Sequence, residues 1–150
     1  MTMRQTDKSW TLSAILLAGA GTCLILVGLY FLLFRPALLP EDIRFIALSD
    51  AQLALVRPKL EAWLSHVFQV MGGYVLATGI LAITLAATAY RAHHSSAGIG
   101  ALLGGIASIG VMAVVNFAID SDFKWVLLTI ALLWAFSLMA FWREENRRSA

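Results

Sequence analysis

The side chains able to do chemistry are few, and they gather at one end of a set of apolar runs. His66, Gln69 and Tyr74 open the second run. Asn116 lies near the end of the third, and Asp120-Ser121-Asp122-Phe123-Lys124 follows it. An imidazole, two amides and a phenol at one mouth could orient a lipid headgroup, a quinone or a sterol-like molecule, with residues 35–65 as an amphipathic cover. The plainer reading is that Asn116 and Gln69 hydrogen-bond across helices, worth roughly 0.6 kcal/mol each, while His66 sits half wet at the interface. His66 could also serve as a general base toward a lipid if Asp50, Glu61, Asp120 or Asp122 came within hydrogen-bond reach.

Other chemistry is poorly served. His93-His94 is an adjacent pair that cannot share one helical face and has no third ligand nearby, so a solvated turn is expected and no metal is assigned. One cysteine, Cys23, gives no internal disulfide and no Cys-x-x-Cys centre. No Gly-rich phosphate loop, Ser-His-Asp set or metal spacing is present, so no catalytic residue and no cofactor is assigned.

The elements that must position these groups are membrane helices. Of the residues, 60% are hydrophobic and 13% charged, about half the charge of a soluble domain, which makes lipid the expected solvent. Trp10 to Phe34 holds no charge and as a helix spans about 37 Å, enough to cross a hydrocarbon core and too long for a signal peptide. Further spans are expected at about 67–90, 97–119 and 123–142. All four lack Asp, Glu, Lys and Arg in their interiors, which argues against an ion-coupled transporter. The smallest four-helix drug exporters depend on a buried glutamate, and small membrane glutathione transferases carry Arg, Glu and Asn within their helices; these spans show no match to either.

Residues 35–66 form the one long connection. Pro40-Glu41-Asp42, Ser49-Asp50 and Pro58 each read as a helix start, giving a pair of short amphipathic helices on the membrane surface or over the bundle. Trp10, Tyr30, Trp63, Tyr90, Trp125 and Trp142 fall near the expected interfaces, and Trp134 falls mid-helix as a packing residue.

Lipid gives Leu no reason to hide against Leu, so small residues mark where helices meet. Residues 61–90 carry two such stripes. One holds His66, Gln69, Gly73, Ala77, Ile80, Thr84 and Ala87; the other holds Gly72, Gly79, Ala82 and Ala86. Two stripes imply two neighbours, hence an inner helix. Ala14, Ala18, Gly21, Ile25 and Gly28 make the stripe of the first helix. Gly100-x-x-x-Gly104-x-x-x-Ser108 is the expected contact face of the third.

The expected fold is an all-α, single-domain membrane protein. Four transmembrane helices form an antiparallel bundle with a helical insertion after the first. With both ends on one side, that side holds Arg4, Lys8, Arg91, Arg143, Arg147 and Arg148 against Arg35, Arg44, Arg57, Lys59 and Lys124. The first group flanks the spans directly, so both termini are expected in the cytoplasm and nucleic acid is not an expected partner. Leu39-Pro40-Glu41-Asp42-Ile43-Arg44, with Leu60-Glu61-Ala62-Trp63-Leu64 and Val70-Met71-Gly72-Gly73, resembles small uncharacterised bacterial four-helix membrane proteins. The resemblance implies a bacterial inner membrane and no particular activity. The expected function is association through helix faces, as a homo-oligomer or accessory subunit, with the lipid bilayer as surroundings. The alternative is a binder or carrier of a small apolar ligand at His66, Gln69, Tyr74 and Asn116, and a lipid-modifying enzyme is a weaker third.

Overall fold

The structure is a computed structural model that describes residues 9–149; Arg4 and Lys8 lie outside them. It is all-α, with no strand among the described residues. Helix α1 runs Leu12–Leu33, α3 Asp50–Tyr90, α4 Ser95–Ala118 and α5 Lys124–Ser149, each long and apolar enough to cross a membrane. The short α2, Pro40–Ile46, lies between the first two. Ile106–Gly110 is a wide π-helical turn within α4, and α3 kinks within Ala86–Tyr90, where Thr88 has a φ of −119° and a ψ of −106°. Ser13 hydrogen-bonds Glu144, so both described ends of the chain lie at one end of the bundle, here the terminal end.

Helix α1 is the centre of the arrangement. It packs against α3 on one side and α5 on the other, and α5 in turn carries α4. The α1–α3 contact is made by backbone. A Cβ built on Gly28 would lie 2.5 Å from Leu76 N and 2.9 Å from Gly72 O. One on Gly21 would lie 2.8 Å from Gly79 O, and one on Gly79 would lie 2.8 Å from Ile25 N. The glycines recur every seven residues, and each pair of facing positions adds to 100, as an antiparallel register requires. The same register sets Ala14 opposite Ala86, both fully buried. Glycine weakens a helix by about 1 kcal/mol against alanine; here it permits dispersion contact between two backbones where lipid offers no hydrophobic drive.

The α4–α5 contact sets small residues against rings. Gly98 faces Phe141, whose Cε1 would lie 2.5 Å from an added Cβ, and Gly105 faces the indole of Trp134. Trp134 Nε1–H donates to the Ala101 carbonyl at 2.9 Å. The packed stripe of α4 is therefore Ala97, Gly98, Ala101, Gly105, Ile109 and Ala113. Gly100 and Gly104 are exposed with nothing within 4 Å of an added Cβ, and Ser108 turns its hydroxyl back to the Gly104 carbonyl. Bulky rings on α5 chose the glycines they could enter.

Two further expectations about α3 meet a different structure. Only the Gly72–Gly79–Ala82–Ala86 stripe is covered; Ala77, Ile80 and Thr84 are exposed, and Gly73 has nothing within 4 Å of an added Cβ. Helix α3 is thus an outer helix with one main neighbour. It also begins at Asp50 rather than near Val67. Ser49 caps it: the Ser49 hydroxyl accepts from Gln52 N–H, and the Gln52 side chain accepts from Ser49 N–H at 3.1 Å. Pro58 then sits inside the helix and starts nothing. A helix of this length is about 60 Å long, twice the hydrocarbon core, so its first turns project from the bundle.

The glycine contacts predict an asymmetric response to added bulk. Gly79→Leu should destabilise the fold by about 1–3 kcal/mol, because backbone must move. Gly100→Leu should leave stability unchanged. Unfolding in mixed detergent micelles compares the two directly.

Candidate functional site

Polar groups collect at both ends of the bundle, and the two collections differ. At the terminal end most of them satisfy one another, while His93 Nε2 and Glu145 Oε2 are buried without a hydrogen-bond partner among the described residues. Ser13 N–H and hydroxyl donate to Glu144 Oε1 and Oε2 at 3.2 and 2.6 Å. Ser137 Oγ donates to the Ser13 carbonyl at 2.7 Å, and Tyr90 OH lies 3.0 Å from Ser137 Oγ. Tyr90 stacks on Phe141, with centroids 4.4 Å apart, and is fully buried at the end of α3.

His93 completes this cluster and corrects the expectation of a solvated His93-His94 pair. His94 is exposed, but the His93 side chain is 4% exposed, with its Nε2 3.2 Å from Glu144 Oε2 and its Nδ1 3.2 Å from the Tyr90 carbonyl. The backbone explains it: His93 adopts a φ of 57°, which reverses the chain and folds the ring under Phe141. Nε2 lies within ion-pair distance of Glu144 but makes no hydrogen bond of ordinary geometry. Burial and then Arg148 oppose the charge more than Glu144 and Glu145 favour it, so the pKa lies below the usual 6.5.

The far end holds a cavity of about 260 Å³. Leu26, Val27, Tyr30 and Phe31 of α1 form one wall. Arg35, Leu39, Glu41 and Asp42 close the top, and Asn116, Ile119, Ser121, Phe123, Val126 and Leu127 form the facing wall. Each polar group has a local cause. Helix α1 stops before Pro36, and Arg35 N–H donates to the Tyr30 carbonyl at 2.9 Å. This folds the Arg35 side chain inward. Its guanidinium lies 3.5 Å from the Phe68 ring centroid and donates to Asp42 Oδ2 at 3.0 Å. Asp42 Oδ2 also accepts Leu39 N–H at 2.9 Å and so fixes the start of α2. That start carries Glu41 into the cavity, 3% exposed, with Ser121 Oγ 3.5 Å from its Oε1.

Of the four ligand candidates, only Asn116 lines this cavity. Its Nδ2 donates to the Met112 carbonyl at 2.9 Å. His66 and Gln69 are exposed, and Tyr74 is 74% exposed; they point away from α1 on the open side of α3. His66 makes no hydrogen bond or ion pair among the described residues. The carboxylates considered for it are engaged elsewhere or distant: Glu61 binds Arg57 at 2.7 Å, Asp122 binds Arg44 at 3.2 Å, and Asp120 binds Lys124. That last ion pair holds the Asp120 carboxyl below its ordinary range. No group of three or more His, Cys, Asp or Glu is placed to hold a metal among the described residues.

Arg35, Glu41, Asp42 and Tyr30 are cavity residues that sequence reasoning did not single out as ligand contacts, although it set residues 35–65 over the mouth and Ser121 in the polar turn beside it. Glu41 and Asp42 were legible as a helix start, and the charged pair next to a proline was the available signal. That Arg35 would fold back over Phe68 was not.

Burial of His93 sets a sign for pH dependence. The unfolded chain takes up a proton near pH 6.5 while the folded ring resists it, so the unfolded state binds more protons as pH falls. The contribution to stability is complete above about pH 6.5 and is lost as pH falls toward the depressed folded value. Thermal unfolding in detergent should therefore weaken from pH 7.5 to 5.5, and His93→Gln should flatten that slope. No family model matches the chain, and no curated protein or solved structure is significantly similar to it.

Proposed function

We propose that this chain is a small membrane protein that holds a small, mostly apolar ligand in its far-end cavity. The observation that carries the reading is the composition of that cavity: apolar walls from α1 and α5, with Arg35, Glu41, Asp42, Asn116 and Ser121 grouped where the helices end. Ligand sites have this form, an apolar volume with a few polar groups that fix orientation. A lipid, a quinone or a sterol-like molecule fits such a space. The bilayer around the helices would supply it. The resemblance to small bacterial membrane proteins supports a setting in a bacterial inner membrane, and Lys and Arg placement supports a cytoplasmic terminal end, since Arg91, Arg143, Arg147 and Arg148 flank the spans there.

A second reading is favoured by one further observation. The Gly100–Gly104 face of α4 lies open along the helix. In lipid that face suits a closely approaching helix from another copy or another membrane protein. The two readings are compatible, since the Gly100–Gly104 face lies near the start of α4 and the cavity meets that helix only near its end, at Asn116.

Native mass spectrometry of protein extracted gently from its own membrane tests both. A bound small molecule is expected, lost in Asn116→Leu and in the cavity-filling Val126→Trp while the protein stays folded. A bare monomer under the same conditions would sink the ligand reading. For the second reading, cross-linking in native membranes should trap an oligomer that Gly104→Leu abolishes without loss of monomer stability; monomer alone would count against it.

A further inference from the structure

We propose that the far-end cavity takes a ligand bearing an ammonium group on an apolar body, with Glu41 as its counter-charge. This rests on the cavity being a binding site, as proposed above. Glu41 is almost wholly buried, yet it lines the open volume. Its polar neighbour is the Ser121 hydroxyl, at a long 3.5 Å. No Lys, Arg or His pairs with it among the described residues.

The cation in the same wall is not available to it. Arg35 gives one guanidinium nitrogen to Asp42 at 3.0 Å and another to the Pro36 carbonyl at 2.9 Å, and it covers the Phe68 ring. The cavity wall therefore carries two carboxylates against one guanidinium, and the unmatched charge is that of Glu41. A carboxylate removed from water without a cation is costly, and a ligand cation relieves that cost.

The neighbouring groups favour the same chemistry. Tyr30 and Phe123 both line the volume, with ring centroids 5.7 Å apart and planes inclined at 43°. Aromatic rings beside a carboxylate attract ammonium groups, which a neutral or anionic headgroup cannot exploit. Asn116 gives one Nδ2–H to the Met112 carbonyl and keeps its Oδ1 acceptor, beside a second N–H, for a ligand. An ammonium group of this kind comes either from a lipid headgroup or from a free lipophilic amine, and both present the same chemistry to Glu41.

The test uses the full chain in phosphatidylglycerol nanodiscs, titrated calorimetrically with benzyltrimethylammonium, benzyl alcohol and benzoate against empty discs. The ammonium compound is expected to bind at least tenfold more tightly than the other two. Glu41→Gln keeps an acceptor for Ser121 and should weaken the ammonium compound about tenfold while leaving benzyl alcohol unchanged. If Glu41→Gln does not yield folded protein, Phe123→Leu gives the same comparison, with a severalfold loss for the cation and little for the alcohol. Benzyl alcohol binding as tightly as the ammonium compound, or a folded Glu41→Gln that binds the cation undiminished, would overturn the inference and leave the cavity reading standing. Failure of all three probes at millimolar concentration would overturn both. Repeating the titration in phosphatidylethanolamine discs separates the sources. A weaker apparent affinity of the uncharged benzyl alcohol there identifies the lipid headgroup as the occupant, and an unchanged one identifies a free amine; either supports the ammonium site.

Discussion

The arrangement depends on the close approach of α1 and α3. Gly21 and Gly28 meet Gly79 and Gly72 so nearly that any side chain would strike backbone. A contact of this kind has little tolerance, since a slip of one turn, four residues, would set Gly21 against Ile83 and Gly28 against Leu76. It fixes α1 as the shared partner and leaves its other face to α5. It also leaves the opposite face of α3 to the surroundings, which is why His66, Gln69 and Tyr74 stand outside the bundle. With α1 and α5 committed, α4 is held by the rings of Trp134 and Phe141 entering at Gly105 and Gly98.

The two ends of this frame use polar residues in opposite ways. At the terminal end, Tyr90, Ser137, Ser13 and Glu144 form a chain of short hydrogen bonds that ties α3, α5 and α1 together. What remains unpartnered there, among the described residues, is His93 Nε2 and Glu145 Oε2, both buried. At the far end the helices part, and the connection after α1 folds over the gap. The groups it delivers are arranged around a volume, and one carboxylate among them lacks a cation. A membrane protein that needed only to close its bundle could place leucine at position 41. Glu41 belongs to the first turn of α2 and meets Ser121 at 3.5 Å, but its burial beside an open space, without a cation among the described residues, is what directs attention to this end.

Much of the frame was legible in the chain. Four charge-free apolar runs separated by Pro, Asp and Arg leave few alternatives to four crossing helices, because every backbone polar group must be satisfied inside lipid. The Ser49 cap and the Asp120-Ser121-Asp122 turn were readable from local hydrogen-bonding chemistry, and the mid-helix Trp134 was readable as a packing residue. Pro58 misled, because a proline start signal is local while the Ser49–Gln52 capping box already held the helix in place.

The chain by itself determined the class of fold, the number of crossings and the small-residue stripes, since these follow from composition and helical period. Only the tertiary structure decided which stripe is covered. Gly72, Gly79, Gly98 and Gly105 are indistinguishable by type from Gly73, Gly100 and Gly104, and the difference lies in what stands opposite them. The same holds for charge. Arg35, Glu41 and His93 sit in connections, where sequence implies water. Their burial is set by how the chain reverses at helix ends, through Pro36, the Asp42 cap and the left-handed turn at His93. Direction of travel after a helix end depends on the partners that receive the chain, and those partners are distant in sequence.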